Sequence, residues 1–105
     1  MNRSAALIIY FGLFGASSCE RVSNEFIIHD PKGVVSSTEL RLCGKRLHLA
    51  RSEQEIRGKI PITCEGEGSI LVQLSDGRKT SCHIGYVTPG SAQTFKYIIA
   101  DGQCR

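Results

Sequence analysis

The side chains able to do chemistry are few and widely spaced. The five cysteines are Cys19, Cys43, Cys64, Cys82 and Cys104, and the three histidines are His29, His48 and His83. Zinc sites are built from close ligand pairs such as C-x-x-C. The last four cysteines stand instead roughly twenty positions apart, a spacing that argues against zinc and for disulfides in a short exported chain. No histidine has a partner at the i, i+4 spacing of a helical metal site. Cys82-His83 has the composition of a nucleophile and its base, but neighbours on a strand point to opposite faces. The serines lie outside any G-x-S-x-G elbow. Gly66-Glu67-Gly68-Ser69 lacks the third glycine and following helix of a phosphate loop, and reads as a turn. Glu65 and Glu67 flank that turn with no apolar run to raise a carboxyl pKa. No residue is therefore assigned a catalytic or metal-binding role, and no cofactor is expected.

The first residues have a different character. Arg3 supplies a positive charge, Ala5 to Phe14 is an apolar run, and Gly15, Ala16, Ser17 and Ser18 are small. Charge, apolar stretch and small-residue zone in this order are those of a secretory signal peptide over residues 1–18. The run is shorter than the roughly 20 residues a membrane-spanning helix needs. The small residues end on a cysteine, and Gly15-Ala16-Ser17-Ser18-Cys19 resembles the lipobox of bacterial lipoprotein precursors, with Ala16 where leucine is usual. The resemblance covers residues 1–19. It implies a diacylglyceryl group on the Cys19 thiol, cleavage just before Cys19 and acylation of the new amino group, and so a partner in the membrane itself. Several acyl chains hold a protein far more firmly than one. The other reading is an ordinary cut after Ser17 or Ser18, which leaves Cys19 a free thiol and the chain unanchored in the periplasm or outside the cell.

Parity favours the lipid, because five cysteines cannot all pair within one chain. With Cys19 set apart, Cys43, Cys64, Cys82 and Cys104 form two disulfides in one of three connectivities. The leading one joins Cys43 to Cys64 and Cys82 to Cys104, each closing a hairpin-like segment; the nested pairing, Cys43 to Cys104 and Cys64 to Cys82, stays open beside it. Without the leader 87 residues remain, a size at which one core only marginally offsets chain entropy. A bridge over a loop of about 20 residues adds on the order of 3 kcal/mol.

These side chains need elements to position them, and the periodicity supplies strands. Alternation of period two dominates, broken by turn residues every eight to twelve positions, the pattern of an all-β sandwich or barrel. The expectation is a small single-domain antiparallel sandwich or barrel of about six or seven strands over residues 25–105, after a polar tether at 19–24. The expected strands run from Glu25 to His29, Glu39 to Cys43, Lys45 to Arg51, Arg57 to Cys64, Ser69 to Ser75 and Lys79 to Val87, with a last strand carrying Phe95, Tyr97 and Ile99. Leu47 and Leu49 face inward in the third, and Cys82, Ile84 and Tyr86 share the core face of the sixth. Asp76-Gly77 predicts a tight two-residue hairpin.

Arg41, Lys45, Arg46, Arg51, Arg57 and Lys59 crowd one region, with His48 among them. If Lys45 to Arg51 and Arg57 to Lys59 are neighbouring strands, Arg46, His48, Arg57 and Lys59 share an exposed face for an anionic partner: lipid headgroups, an acidic polysaccharide or an acidic protein patch. The plainer reading is a solvated face that discourages strand-edge aggregation. The chain without its leader keeps 12 of 13 basic and all 10 acidic residues, a net +2. That mild balance, with no aromatic stripe, gives nucleic acid no purchase. Three functions follow in order: a non-catalytic binding or accessory lipoprotein of the cell envelope; an exported inhibitor of a protease or lysozyme, using the loops Ser75 to Lys79 and Thr88 to Ala92; and a small secreted enzyme.

Overall fold

The computed structural model describes residues 22–105. The signal segment and Cys19 lie outside the described residues. From Ser23 onward the chain is all β: β1 (Ser23–His29), β2 (Val35–Leu42), β3 (Lys45–Leu47), β4 (Ala50–Ser52), β5 (Glu55–Pro61), β6 (Gly66–Leu74), β7 (Lys79–Val87), β8 (Thr94–Ala100) and β9 (Gln103–Cys104). They form two sheets, in the orders β4-β5-β1-β8-β9 and β3-β2-β6-β7. Three of the nine are pieces of two or three residues, and these raise the count above the expected six or seven. The boundary at the start also moves: Ser23 and Asn24 belong to β1, and Asn24 is fully buried, so the expected tether 19–24 gives up its last two residues.

Alternation makes the core. Phe26, Ile28, Leu40, Ile70, Val72, Ile84 and Val87 are essentially sealed between the sheets, and each such side chain contributes about 1.5–3 kcal/mol by leaving water. Phe26 and Phe95 stack with ring centres 5.2 Å apart. They are register partners across β1 and β8, which run parallel. This is a departure from a purely antiparallel sheet, made possible by the long excursion through the second sheet between them.

The strand expected over Lys45 to Arg51 is two strands in different sheets. β3 pairs with β2, β4 pairs with β5, and the chain crosses between the sheets at Leu47–Ala50. Leu47 and Leu49 are half-buried at this crossing. Gly58, on the inner side of β5, makes room for it: a Cβ there would collide with Leu49 Cδ2. Glycine inside a strand commonly marks such a close approach.

Two further expectations change phase. A bulge between Gly66 and Gly68 shifts the β6–β7 register, so Val87 is buried and Tyr86, expected inside, is exposed. The Asp76-Gly77 hairpin has three loop residues rather than two. Gly77 N–H donates to Leu74 O (3.0 Å) and Leu74 N–H to Arg78 O (2.8 Å), with positive φ at Gly77 alone (92°). That is a type I turn closed by a left-handed residue.

The disulfides join Cys43 to Cys64 and Cys82 to Cys104. The enclosed segments are not hairpins. Between Cys43 and Cys64 the chain runs through both sheets, and the bridge fastens the β2–β3 turn to the connection leaving β5. Cys82, buried on β7, reaches β9 in the opposite sheet and closes that side of the sandwich.

Candidate functional site

Strand directions give the domain two poles. β1 and β8 end at one pole, β2, β5 and β7 begin there, and the turns 30–34, 53–54, 75–78 and 101–102 gather at it. Ser23, the Cys43–Cys64 bridge and the loop Thr88 to Ala92 lie at the other. Of the two loops expected of an inhibitor, only Ser75 to Lys79 sits at the first pole, so the two cannot form one surface.

At the first pole, three turns enclose an open groove of about 440 Å³. Its first wall is the β1–β2 turn, which Asp30 fixes. Asp30 is 1% exposed. Its carboxylate accepts hydrogen bonds from the N–H groups of Val34 (3.1 Å) and Val35 (3.0 Å) and from Arg51 Nη2 (2.6 Å). An aspartate closing its own turn in this way is familiar turn chemistry. Burial, the largest single influence, pushes the Asp30 pKa up, but the Arg51 hydrogen bond and the Val35 and Val34 N–H groups together outweigh it and hold the pKa below the usual carboxylate value. Arg51 also donates to Val35 O (3.1 Å) and Glu53 O (2.9 Å). It therefore links β4 of one sheet to the start of β2 in the other.

The second wall is the β6–β7 hairpin, docked on the first by Ser75 N–H to Val34 O (2.8 Å). Asp76 turns both carboxylate oxygens inward, one to Arg78 N–H (3.0 Å) and one to Arg78 Nε (2.7 Å). The Arg78 N–H first, and then its guanidinium, lower the Asp76 pKa. The third wall is the β8–β9 turn, where Asp101 and Gly102 both have positive φ (54° and 74°). Gly102 also lets the Arg78 guanidinium lie close: a Cβ there would stand 2.8 Å from Nη1. Ile98 is pinned by paired 2.9 Å backbone bonds with Arg105, yet its side chain is 42% exposed and borders the groove.

The expected basic face is not assembled. Arg46 lies on the outside of the second sheet, opposite Arg41 in register and 3.9 Å from Glu39. His48 sits in the crossing, its Nδ1 2.8 Å from Thr38 O. Arg57 and Lys59 lie on the outside of the first sheet, where Arg57 meets Glu55 (2.7 Å) and Glu25 (3.3 Å) and Lys59 faces Glu25 in register. The crossing at Leu47–Ala50 separates the two pairs. Cys82 is buried and bridged, while His83 points outward to Glu67 (3.3 Å), so these neighbours do not act together. The groove escaped sequence reasoning because its walls are far apart along the chain. Two of its walls, Asp30-Pro31-Lys32-Gly33 and the Asp76-Gly77 hairpin, were legible as turns but not as parts of one groove.

No family model and no curated protein matches the chain. Among solved structures, it is similar to one titled "NMR structure of the protein from Eubacterium rectale", with a TM-score of 0.56 and 13% identity over 84% of this chain and 89% of that one. At this identity the likeness concerns the fold, and it agrees with the β-sandwich described above.

Proposed function

We propose that the chain is a non-catalytic binding module of the bacterial cell envelope, exported under residues 1–18 and held on a membrane by lipid on Cys19. The observation that supports it best is polar. The groove, walled by three turns of which the first two are hydrogen-bonded to each other, opens at the pole opposite Ser23, so a domain tethered just before β1 would turn it away from the membrane. The two disulfides suit an oxidising compartment. The intact mass of the mature protein, extracted in detergent from producing cells, tests the anchor. A species beginning at Cys19 with added acyl mass is expected; an unacylated species overturns it. A photo-crosslinking residue at Asp101 should give a discrete adduct in cells, and one at Ser91 none; equal labelling at both poles overturns the binding role of the groove.

An exported hydrolase inhibitor is the second reading, favoured by the Ser75 to Lys79 hairpin, whose Asp76–Arg78 lock makes it a rigid projection. Assays against proteases and lysozymes decide it: no inhibition at micromolar domain removes it.

A further inference from the structure

Three large apolar side chains stand exposed among the described residues: Leu71, Tyr86 and Ile98. Leu71 lies on a sheet face among charged and polar neighbours, and Tyr86 has a partner for its hydroxyl in Glu65 (2.8 Å). Ile98 alone continues into an apolar floor, made with Val34, Leu74, Ile99 and Ala100.

The charges around that floor differ in how far they are committed. Asp76 has both oxygens engaged by Arg78. Arg78 spends only its backbone N–H and Nε on that contact, which leaves Nη1 and Nη2 without a hydrogen-bond acceptor among the described residues. Lys32 has no acidic partner within ion-pair distance among them. Asp101 is the fourth charged group of the lining, so two basic and two acidic residues balance. A polyanion gains little from such a lining. A single carboxylate beside an apolar group gains the donors of Lys32 and Arg78 and an apolar surface.

We propose that this groove binds an extended acidic-aliphatic peptide segment of a partner protein, its aliphatic side chain resting on Val34, Leu74 and Ile98 and one neighbouring carboxylate meeting Lys32 and the free edge of Arg78. The proposal deepens the reading as an exported binding module, and rests on it only for which proteins supply the segment. A fatty carboxylate shares the same two groups. However, the groove is open, whereas sites for small apolar ligands usually enclose most of the ligand's surface.

The test is an amide NMR titration of the mature chain from producing cells, both disulfides formed, with the peptide acetyl-Ala-Glu-Leu-Leu-Ala-amide. Shifts are expected at residues 31–34, 74–78 and 98–102. Replacing the probe's glutamate by glutamine, or Lys32→Glu in the protein, should weaken binding about tenfold, the worth of a charge-assisted hydrogen bond. Ile98→Asp should abolish binding, while Lys59→Glu, on the outside of the first sheet, should bind as wild type. Lys32 and Ile98 are both exposed, and an unchanged spectrum away from the groove reports that each variant is folded. Absence of groove shifts, equal affinity for the glutamine probe, or dodecanoate occupying the groove in place of the peptide would each overturn the proposal. An unacylated Cys19 retires the anchor without touching this result, and a silent titration with an acylated Cys19 retires the peptide alone.

Discussion

The two poles of the sandwich are fastened by different chemistry. At the pole near Ser23 the fastening is covalent, Cys43 to Cys64. At the groove pole the β8–β9 side is held by the Cys82–Cys104 bridge, but the β1–β2 turn is held by an ion pair and its hydrogen bonds, Asp30 with Arg51, Val34 and Val35. A disulfide acts mainly by restricting the unfolded chain and answers to reductant. The carboxylate acts in the folded state, satisfying buried N–H groups, and answers to protons. The β1–β2 wall of the groove is thus the part that acid or a single substitution loosens.

The largest effect should come from Asp30→Ala, which strands the Val34 and Val35 N–H groups and leaves Arg51 without its partner. Each stranded buried N–H costs about 1–3 kcal/mol, and loss of the Arg51 contact adds less because that side chain is 38% exposed; the sum is read as a drop in the denaturant midpoint, and the loss of exchange protection should begin at residues 30–35. If protection falls first around residue 43, the two poles are not separable. Next is Cys43→Ala with Cys64→Ala, expected to cost about 3 kcal/mol while leaving the amide shifts of 31–34 and 98–102 in place. Movement of the groove resonances in that variant would break the comparison from the other side.

Acid should act more gently and at one pole. The folded pKa of Asp30 lies below the ordinary carboxylate value, so below that value the unfolded chain binds the extra proton and stability rises with pH. The contribution is complete above about pH 4 and is lost as pH falls through the folded pKa. Glu55 and Asp76 shift in the same direction, but both are exposed and solvent screens them. A titration of wild type against Asp30→Asn isolates the buried carboxylate. The variant should show the shallower dependence below pH 4, and parallel curves would assign the acid sensitivity elsewhere.

How much of this was legible in the sequence differs between the poles. The strands could be read from alternation, a local pattern; the Cys43 to Cys64 link could be favoured as the closure of a hairpin, and it forms although the segment it closes runs through both sheets. The crossing at Leu47–Ala50 could not, since Leu47 and Leu49 keep the phase of one continuous strand while their flanks pair in different sheets. Gly58, the glycine that admits Leu49, was its only trace. The parallel pairing of Phe26 with Phe95 and the contact of Arg51 with Asp30 join residues far apart in sequence, and no periodicity reports such distances. The exchange of Tyr86 for Val87 inside the core followed from a bulge at Gly66–Gly68, where the glycines signalled irregularity but not its sense. The basic cluster misled for a related reason: charges near in sequence were divided by a crossing.

The smallest expected effect completes the comparison. Arg57 holds two carboxylates, Glu55 and Glu25, one more than Arg51 holds, so a tally of ion pairs would rank it higher. Its setting differs: Glu25 and Glu55 reach solvent whereas Asp30 is sealed, no buried N–H among the described residues depends on them, and exposed pairs add little because water and salt already satisfy both charges. Arg57→Gln should leave the denaturant midpoint where it is at ordinary salt, with any small shift vanishing as salt is raised. Arg51→Gln, measured beside it, should lower the midpoint at every salt concentration, because Asp30 stays buried without its cation. Equal effects from the two substitutions would mean that the groove pole draws no special strength from burial.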